Sequence, residues 1–221
     1  MWGGGCRFIF PSIYQIYYYP HDCRNHAAQN GEIFKVDSIV LRSVAFVIVT
    51  LFFTVVSWRS LRNPRSHGFY RYFVFEGVAG LVLYNQPVWF DQPFSGLHSL
   101  SWLMLMISII LVVYGLGLLR RIGGQQVRQS SPENLSFENT QHLVVDGLYR
   151  YIRHPMYASL LFLAWGAFLK RIDLLTLATV GLVTLALFLT AKVEENENIA
   201  FWGTTYVTYK LRSKMFIPFI F

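Results

Sequence analysis

Residues 97–119 run for 23 positions without an aspartate, glutamate, lysine or arginine. As a helix rising 1.5 Å per residue, that run is about 35 Å long, enough to cross a hydrocarbon layer about 30 Å thick. The chain repeats the pattern. Residues 43–58 carry no charge, and with 39–42 they make another span. Residues 73–90 form a third, interrupted by Glu76 and by Asn85-Gln86-Pro87; residues 174–191 form a fourth. Residues 156–169 are apolar over only 14 positions, short for a full crossing. Charged residues make up 14% of the chain, against roughly 25% in an ordinary soluble domain. A chain of 221 residues cannot bury so many runs in a soluble core. The pattern predicts an all-α fold: a polytopic membrane helical bundle of about five transmembrane helices, the last two paired as a C-terminal helical hairpin.

The net charge of +7 then reads by position. Arg59, Arg62, Arg65 and Arg71 follow the first span, and no cation lies in residues 91–95 after the second. Arg120, Arg121, Arg128, Arg150 and Arg153 follow the third; Lys192, Lys210, Arg212 and Lys214 follow the last. The positive-inside bias puts these three basic regions in the cytoplasm, with the N-terminus outside and the C-terminus cytoplasmic. Lys170 and Arg171, between the last two spans, oppose it weakly. The basic balance thus implies membrane lipids as partners. Nucleic acid is disfavoured, because no basic stripe interleaved with aromatics lies on a soluble face.

Three regions follow. Residues 1–37 match neither a signal peptide nor a clean span; they hold both cysteines, Cys6 and Cys23, which can pair if that segment lies outside. Residues 38–122 carry three spans. Residues 123–221 open with a polar linker to about Gln141 and then carry the chemistry-bearing residues. No Cys-x-x-Cys or histidine pair at metal spacing occurs, so a metal site has little support.

Within that third region, Arg150, Arg153, His154 and Tyr157 gather around Pro155. Proline suits the first position of a helix, and the residue before it avoids the α region. A helix therefore begins at Pro155, with free N–H groups and a partial positive charge suited to a carboxylate or phosphate. The alternative is a plain positive-inside anchor with snorkelling arginines. Glu194 and Glu195 stand where the bias expects cations, and an adjacent carboxylate pair can hold a cationic ligand or merely face water. Glu194, Asn198, Thr205 and Tyr209 suggest one polar face. Asp173 is placed to cap the last span. Gly115 and Gly117 read first as close helix packing. Glu76, an ionisable group inside a span, is a functional candidate.

The ordered motifs Gly147-x-Tyr149, Arg153-His154-Pro155-x-Tyr157, Glu194-Glu195, Trp202-Gly203 and Tyr206-x-x-Tyr209 resemble the isoprenylcysteine carboxyl methyltransferase family and its phospholipid-methylating relatives. The likeness covers about residues 120–218, with Trp202 standing where the family has phenylalanine. It implies a transferase that binds S-adenosylmethionine at the cytoplasmic face and methylates a lipophilic or small acceptor: a prenylcysteine carboxylate, a phospholipid or a thiol. By position, the resemblance puts cofactor contacts at Gln141, His142, Leu143, Val144, Tyr149, His154, Tyr157, Glu194 and Glu195, and catalytic roles at Arg153 and Glu194. It also associates Gly115 and Gly117 with the cofactor. One departure stands out: the carboxyl-methylating enzymes have an arginine four residues before the first glutamate, and here that residue is Thr190. Two rivals remain: an NADPH-dependent sterol-reductase-like membrane enzyme, and a membrane protein without catalysis.

Overall fold

Proline and glycine are absent from residues 38–56, and that stretch is helical throughout in the computed structural model of the protein. The structure describes residues 21–91, 93–124 and 140–218, with side chains from 38 onward. The cysteine pairing, the order of residues 1–20 and most of the polar linker lie outside the described residues. The chain divides between Leu41 and Arg42 into two units. The first is represented by the start of α1 (His21–Val56); the second holds the rest.

Among the described residues the second unit continues with α2 (Trp58–Leu61), α3 (His67–Asn85), α4 (Gly96–Ile122), α5 (Pro155–Phe168), α6 (Leu174–Trp202) and α7 (Thr204–Arg212). Short 3-10 turns span Gln86–Val88 and Gly147–Arg150. The sole strand-like feature among them is an isolated bridge between Ile152 and Lys214. The fold is all-α.

Among the described residues three helices are long and apolar enough to cross a membrane: Ser38–Val56, Gly96–Ile122 and Leu174–Trp202. This is fewer than the five spans read from the sequence. α3 carries Arg71 and Glu76, and it ends at Asn85 because Pro87 follows. α5 has 14 residues, about 21 Å.

Side chains stitch the bundle where backbone groups are left over. The last carbonyls of a helix have no partner within it. At the end of α5, Ser101 Oγ donates to Gly166 O at 2.7 Å and Asn85 Nδ2 donates to Ala167 O at 2.7 Å. Gly166 permits this approach: a Cβ there would lie 3.0 Å from Leu105 Cδ2. The core runs through Val74, Val78 and Leu81 of α3, Ala158, Ala164 and Ala167 of α5, and Val180, Val183 and Leu187 of α6.

Asp173 caps α6 as its position suggests. Thr176 N donates to Asp173 Oδ1 at 2.8 Å and Thr176 Oγ1 accepts from Asp173 N at 3.0 Å, a reciprocal capping box. The apolar run stops at Ala191, but the helix does not. Nothing between Lys192 and Trp202 breaks a helix, so α6 carries Glu194, Glu195 and Asn198 on the same rod. The break comes at Gly203 (φ 61°, ψ −135°), backbone that only glycine adopts readily. It interrupts the continuous polar face expected from Glu194 to Tyr209.

Candidate active site

His154 has φ −121° and ψ 63°, outside the helical region, and Pro155 starts α5. Gly147 (φ 60°) turns the chain into the preceding 3-10 element, where Tyr149 is buried. The C-terminal tail holds this segment by its backbone. Arg153 N donates to Lys214 O at 2.7 Å, His154 N to Met215 O at 3.2 Å, and Lys214 N to Tyr151 O at 2.9 Å. From α7, Tyr209 Oη donates to Tyr149 O at 2.6 Å.

The helix start and the end of α6 face each other across a cavity of about 270 Å³. Tyr149, His154 and Tyr157 line one side; Glu194, Asn198 and Trp202 of α6 line another; Tyr206 and Tyr209 of α7 close a third. Arg71 and Phe75 of α3 and Val112 and Leu119 of α4 complete the wall, with Leu143, Val144, Met156 and Leu160. The His154 ring stacks on Tyr157, centroids 5.3 Å apart and planes 14° apart. Its Nδ1 lies 3.7 Å from Glu194 Oε2 and its Nε2 3.7 Å from Glu195 Oε1. Asn198 Nδ2 donates to Glu194 Oε1 at 3.5 Å. Burial raises the pKa values of Tyr149, Tyr206 and Tyr209 well above the usual tyrosine value, and the Glu194 charge adds to the effect on the first two. These phenols stay neutral, as aromatic faces and hydrogen-bond donors around one carboxylate.

Of the residues singled out from the sequence, Leu143, Val144, Tyr149, Arg153, His154, Tyr157 and Glu194 meet at this cavity. Gln141 and His142 are exposed and outside its lining; their backbone N–H groups donate to Gly123 O at 2.8 and 3.0 Å, returning the chain to the end of α4. Glu195 points elsewhere. Fully buried, it accepts from Arg153 Nε at 2.7 Å and pairs with Lys210 Nζ at 2.6 Å. Arg153 Nη1 also donates to the carbonyls of Lys210 and Ser213. This cluster ties α6 to the helix start, to α7 and to the tail.

A Cβ on Gly115 would sit 3.4 Å from Pro155, so this glycine lets α4 approach the start of α5; one on Gly117 would meet open space within 4 Å. Glu76 Oε2 accepts from Thr50 Oγ1 at 2.8 Å, joining α3 to α1. Neither the glycines nor Glu76 line the cavity. Among the described residues no group of three metal-ligating side chains occurs.

Sequence reasoning missed Arg71, counted there only as a topological charge. It also missed the pairing of His67 with Glu197: His67 Nδ1 lies 2.6 Å from Glu197 Oε2, and His67 N donates to Glu197 Oε1 at 3.0 Å. Glu197 thereby caps α3 from α6. One signal was readable. Glu194, Asn198 and Trp202 recur at steps of four, the spacing of one helix face once α6 is known to run on to Trp202.

These features define a helical protein with membrane-length apolar helices and a half-open, aromatic-walled cavity around a buried helix start and a carboxylate. Residues 97–205 match the phospholipid methyltransferase family. The chain is 26% identical over 180 residues to a methanethiol S-methyltransferase of Crocosphaera subtropica, covering 74% of this chain and 66% of that relative. The match thus spans about two thirds of the relative's length. No solved structure gives a significant match. Both comparisons thus find likeness to methyltransferases, one to a family model and one to a single relative.

Proposed function

We propose that the protein is an integral membrane methyltransferase that binds S-adenosylmethionine in the cavity between the start of α5 and the end of α6. The observation that carries this reading is their convergence: His154 and Glu194 approach to 3.7 Å although 40 residues separate them in sequence. The donor set fits such a group. The His154 ring lines the cavity, and its Nδ1 edge lies 3.7 Å from Glu194 Oε2, so imidazole and carboxylate border the same space. Glu194 offers an anion to cationic parts. The α5 start offers partial positive charge to a carboxylate. Tyr149, Tyr206, Tyr209 and Trp202 offer aromatic faces to an adenine or a sulfonium. When bound, the cofactor supplies an electrophilic methyl group on sulfur. The chain's part is to orient donor and acceptor in line and to exclude water, so no metal or proton-relay constellation is required.

The acceptor enters from the apolar side, where Phe75, Val112 and Leu160 form the wall. Thr190, at the position of the carboxylate-binding arginine, is fully buried and donates to Ala186 O at 2.7 Å. That argues against a prenylcysteine carboxylate and for a neutral lipophilic acceptor or a small thiol, the class named for the Crocosphaera relative. We further propose that α3 and α5 join the three long helices in the bilayer, that α5 and α6 form the hairpin, and that the cavity opens toward the cytoplasm. Lys170 and Arg171, which oppose this orientation, are absorbed by aromatic rings: Lys170 Nζ lies 3.9 Å from the Trp102 ring centre and Arg171 Cζ 5.1 Å from that of Tyr84.

Equilibrium binding of labelled S-adenosylmethionine to purified protein, with NADPH as competitor, tests the cofactor. Binding that NADPH does not displace is expected; displacement by NADPH alone would favour a reductase. Transfer of labelled methyl to fractionated lipids, thiols and prenylated peptides then identifies the acceptor.

A further inference from the structure

A second hollow, an open cleft of about 860 Å³, lies outside the long apolar helices. Val145, Asp146, Arg150 and Tyr151 line one bank; Thr204, Thr205, Thr208 and Arg212 of α7 line the other. Leu143 and Tyr209 belong to this cleft and to the inner cavity alike. These two residues therefore stand between a wide cleft with charged and hydroxyl side chains on its banks and a smaller, more apolar cavity.

A charged, water-soluble methyl donor must enter and its spent product must leave. The side formed by Phe75, Val112 and Leu160 is apolar, and a fixed charge crosses such a wall only at high cost. The side formed by α7 and the 3-10 turn is not. We propose that the outer cleft is the exchange portal for this donor and its product, and that Leu143 and Tyr209 are the gate between cleft and cavity. The inference rests on the methyltransferase reading above.

Three features support a gate that opens by moving α7. Tyr209 Oη donates across to Tyr149 O at 2.6 Å, and Tyr149 is itself a wall of the cavity. Gly203 joins α6 to α7 in a glycine-type conformation with open space around it, which suits a hinge. Lys210, partly exposed on α7, latches onto buried Glu195 at 2.6 Å. Opening α7 gives up the Tyr209 hydrogen bond, the Arg153 Nη1 contact to Lys210 O and an ion pair whose lysine is partly exposed, while the long helices stay packed.

The test is the exchange rate of labelled S-adenosylmethionine on the purified full chain in micelles, measured beside equilibrium binding. Thr205→Trp, on the outer bank and away from the cavity, should slow association and dissociation together by several-fold. Thr208→Trp should do the same from one turn further on. Tyr209→Phe removes the gate's hydrogen bond and should speed dissociation by about threefold to tenfold. Normal binding with unmodified exchange rates in both tryptophan variants would overturn the portal and leave the methyltransferase reading intact. No donor binding by the unmodified chain would overturn that reading and the portal with it.

Discussion

Replacing Glu195 by glutamine should unfold the C-terminal half of the site before it changes any ligand contact. Glu195 is fully buried and serves two cations. Their environments differ: the Arg153 side chain is 8% exposed and that of Lys210 34%. Removing one partner of a buried ion pair costs about 3–5 kcal/mol, because the other charge stays behind without compensation. Lys210 can turn to water, so its share is about 1 kcal/mol or less. Arg153 cannot, yet it keeps the carbonyls of Lys210 and Ser213, and the new amide oxygen can still accept from Nε. The lower end, about 3 kcal/mol, follows. At 1.4 kcal/mol per factor of ten that is roughly a hundredfold shift in the folding equilibrium. Unfolding of the purified protein in mixed micelles with increasing dodecyl sulfate would measure it. Lys210→Met should cost about 1 kcal/mol or less, and Arg153→Met with Glu195→Met should cost less than Glu195→Gln alone, since no buried charge remains. A Glu195→Gln protein within about 0.5 kcal/mol of the unmodified one would refute the reasoning.

Other outcomes are equally specific. Glu194→Ala should abolish binding of labelled S-adenosylmethionine without the stability loss of Glu195→Gln; full retention of binding would remove Glu194 from the site. Gly147→Ala should destabilise by about 1–2 kcal/mol from its positive φ alone, and more if Leu118, 2.9 Å from the new Cβ, cannot move. Tyr149, Tyr206 and Tyr209 have pKa values raised above their unfolded value near 10, so their contribution to stability is complete below that pH and fades above it. In an alkaline titration followed by tyrosinate absorbance, all three should ionise only as the protein unfolds. Asp173 behaves oppositely. The Thr176 amide lowers its pKa below 3.8, so its capping contribution is present above that value and lost as pH falls through the folded value. Asp173→Asn should remove this part of the acid dependence, read as unfolding midpoint against pH.

Runs of uncharged residues marked the three helices long and apolar enough to cross a membrane, while two further runs became the shorter α5 and the charge-bearing α3. Pro155 determined where α5 begins, and Asp173 where α6 begins, since both act through their own backbone and immediate neighbours. The motif order around Tyr149, His154, Tyr157 and Glu194 carried the resemblance to methyltransferases. Tertiary structure decided which of the two adjacent glutamates faces the cavity. Neighbours on a helix point about 100° apart, and only the packing of α7 and the tail against α6 turns Glu195 into a buried clamp and leaves Glu194 facing the cavity. Tertiary structure also brought Arg71 and Phe75 of α3 and Val112 of α4 to the wall, and set Glu197 as a cap on another helix. These are long-range contacts between helices whose own sequences signal only that they are helices.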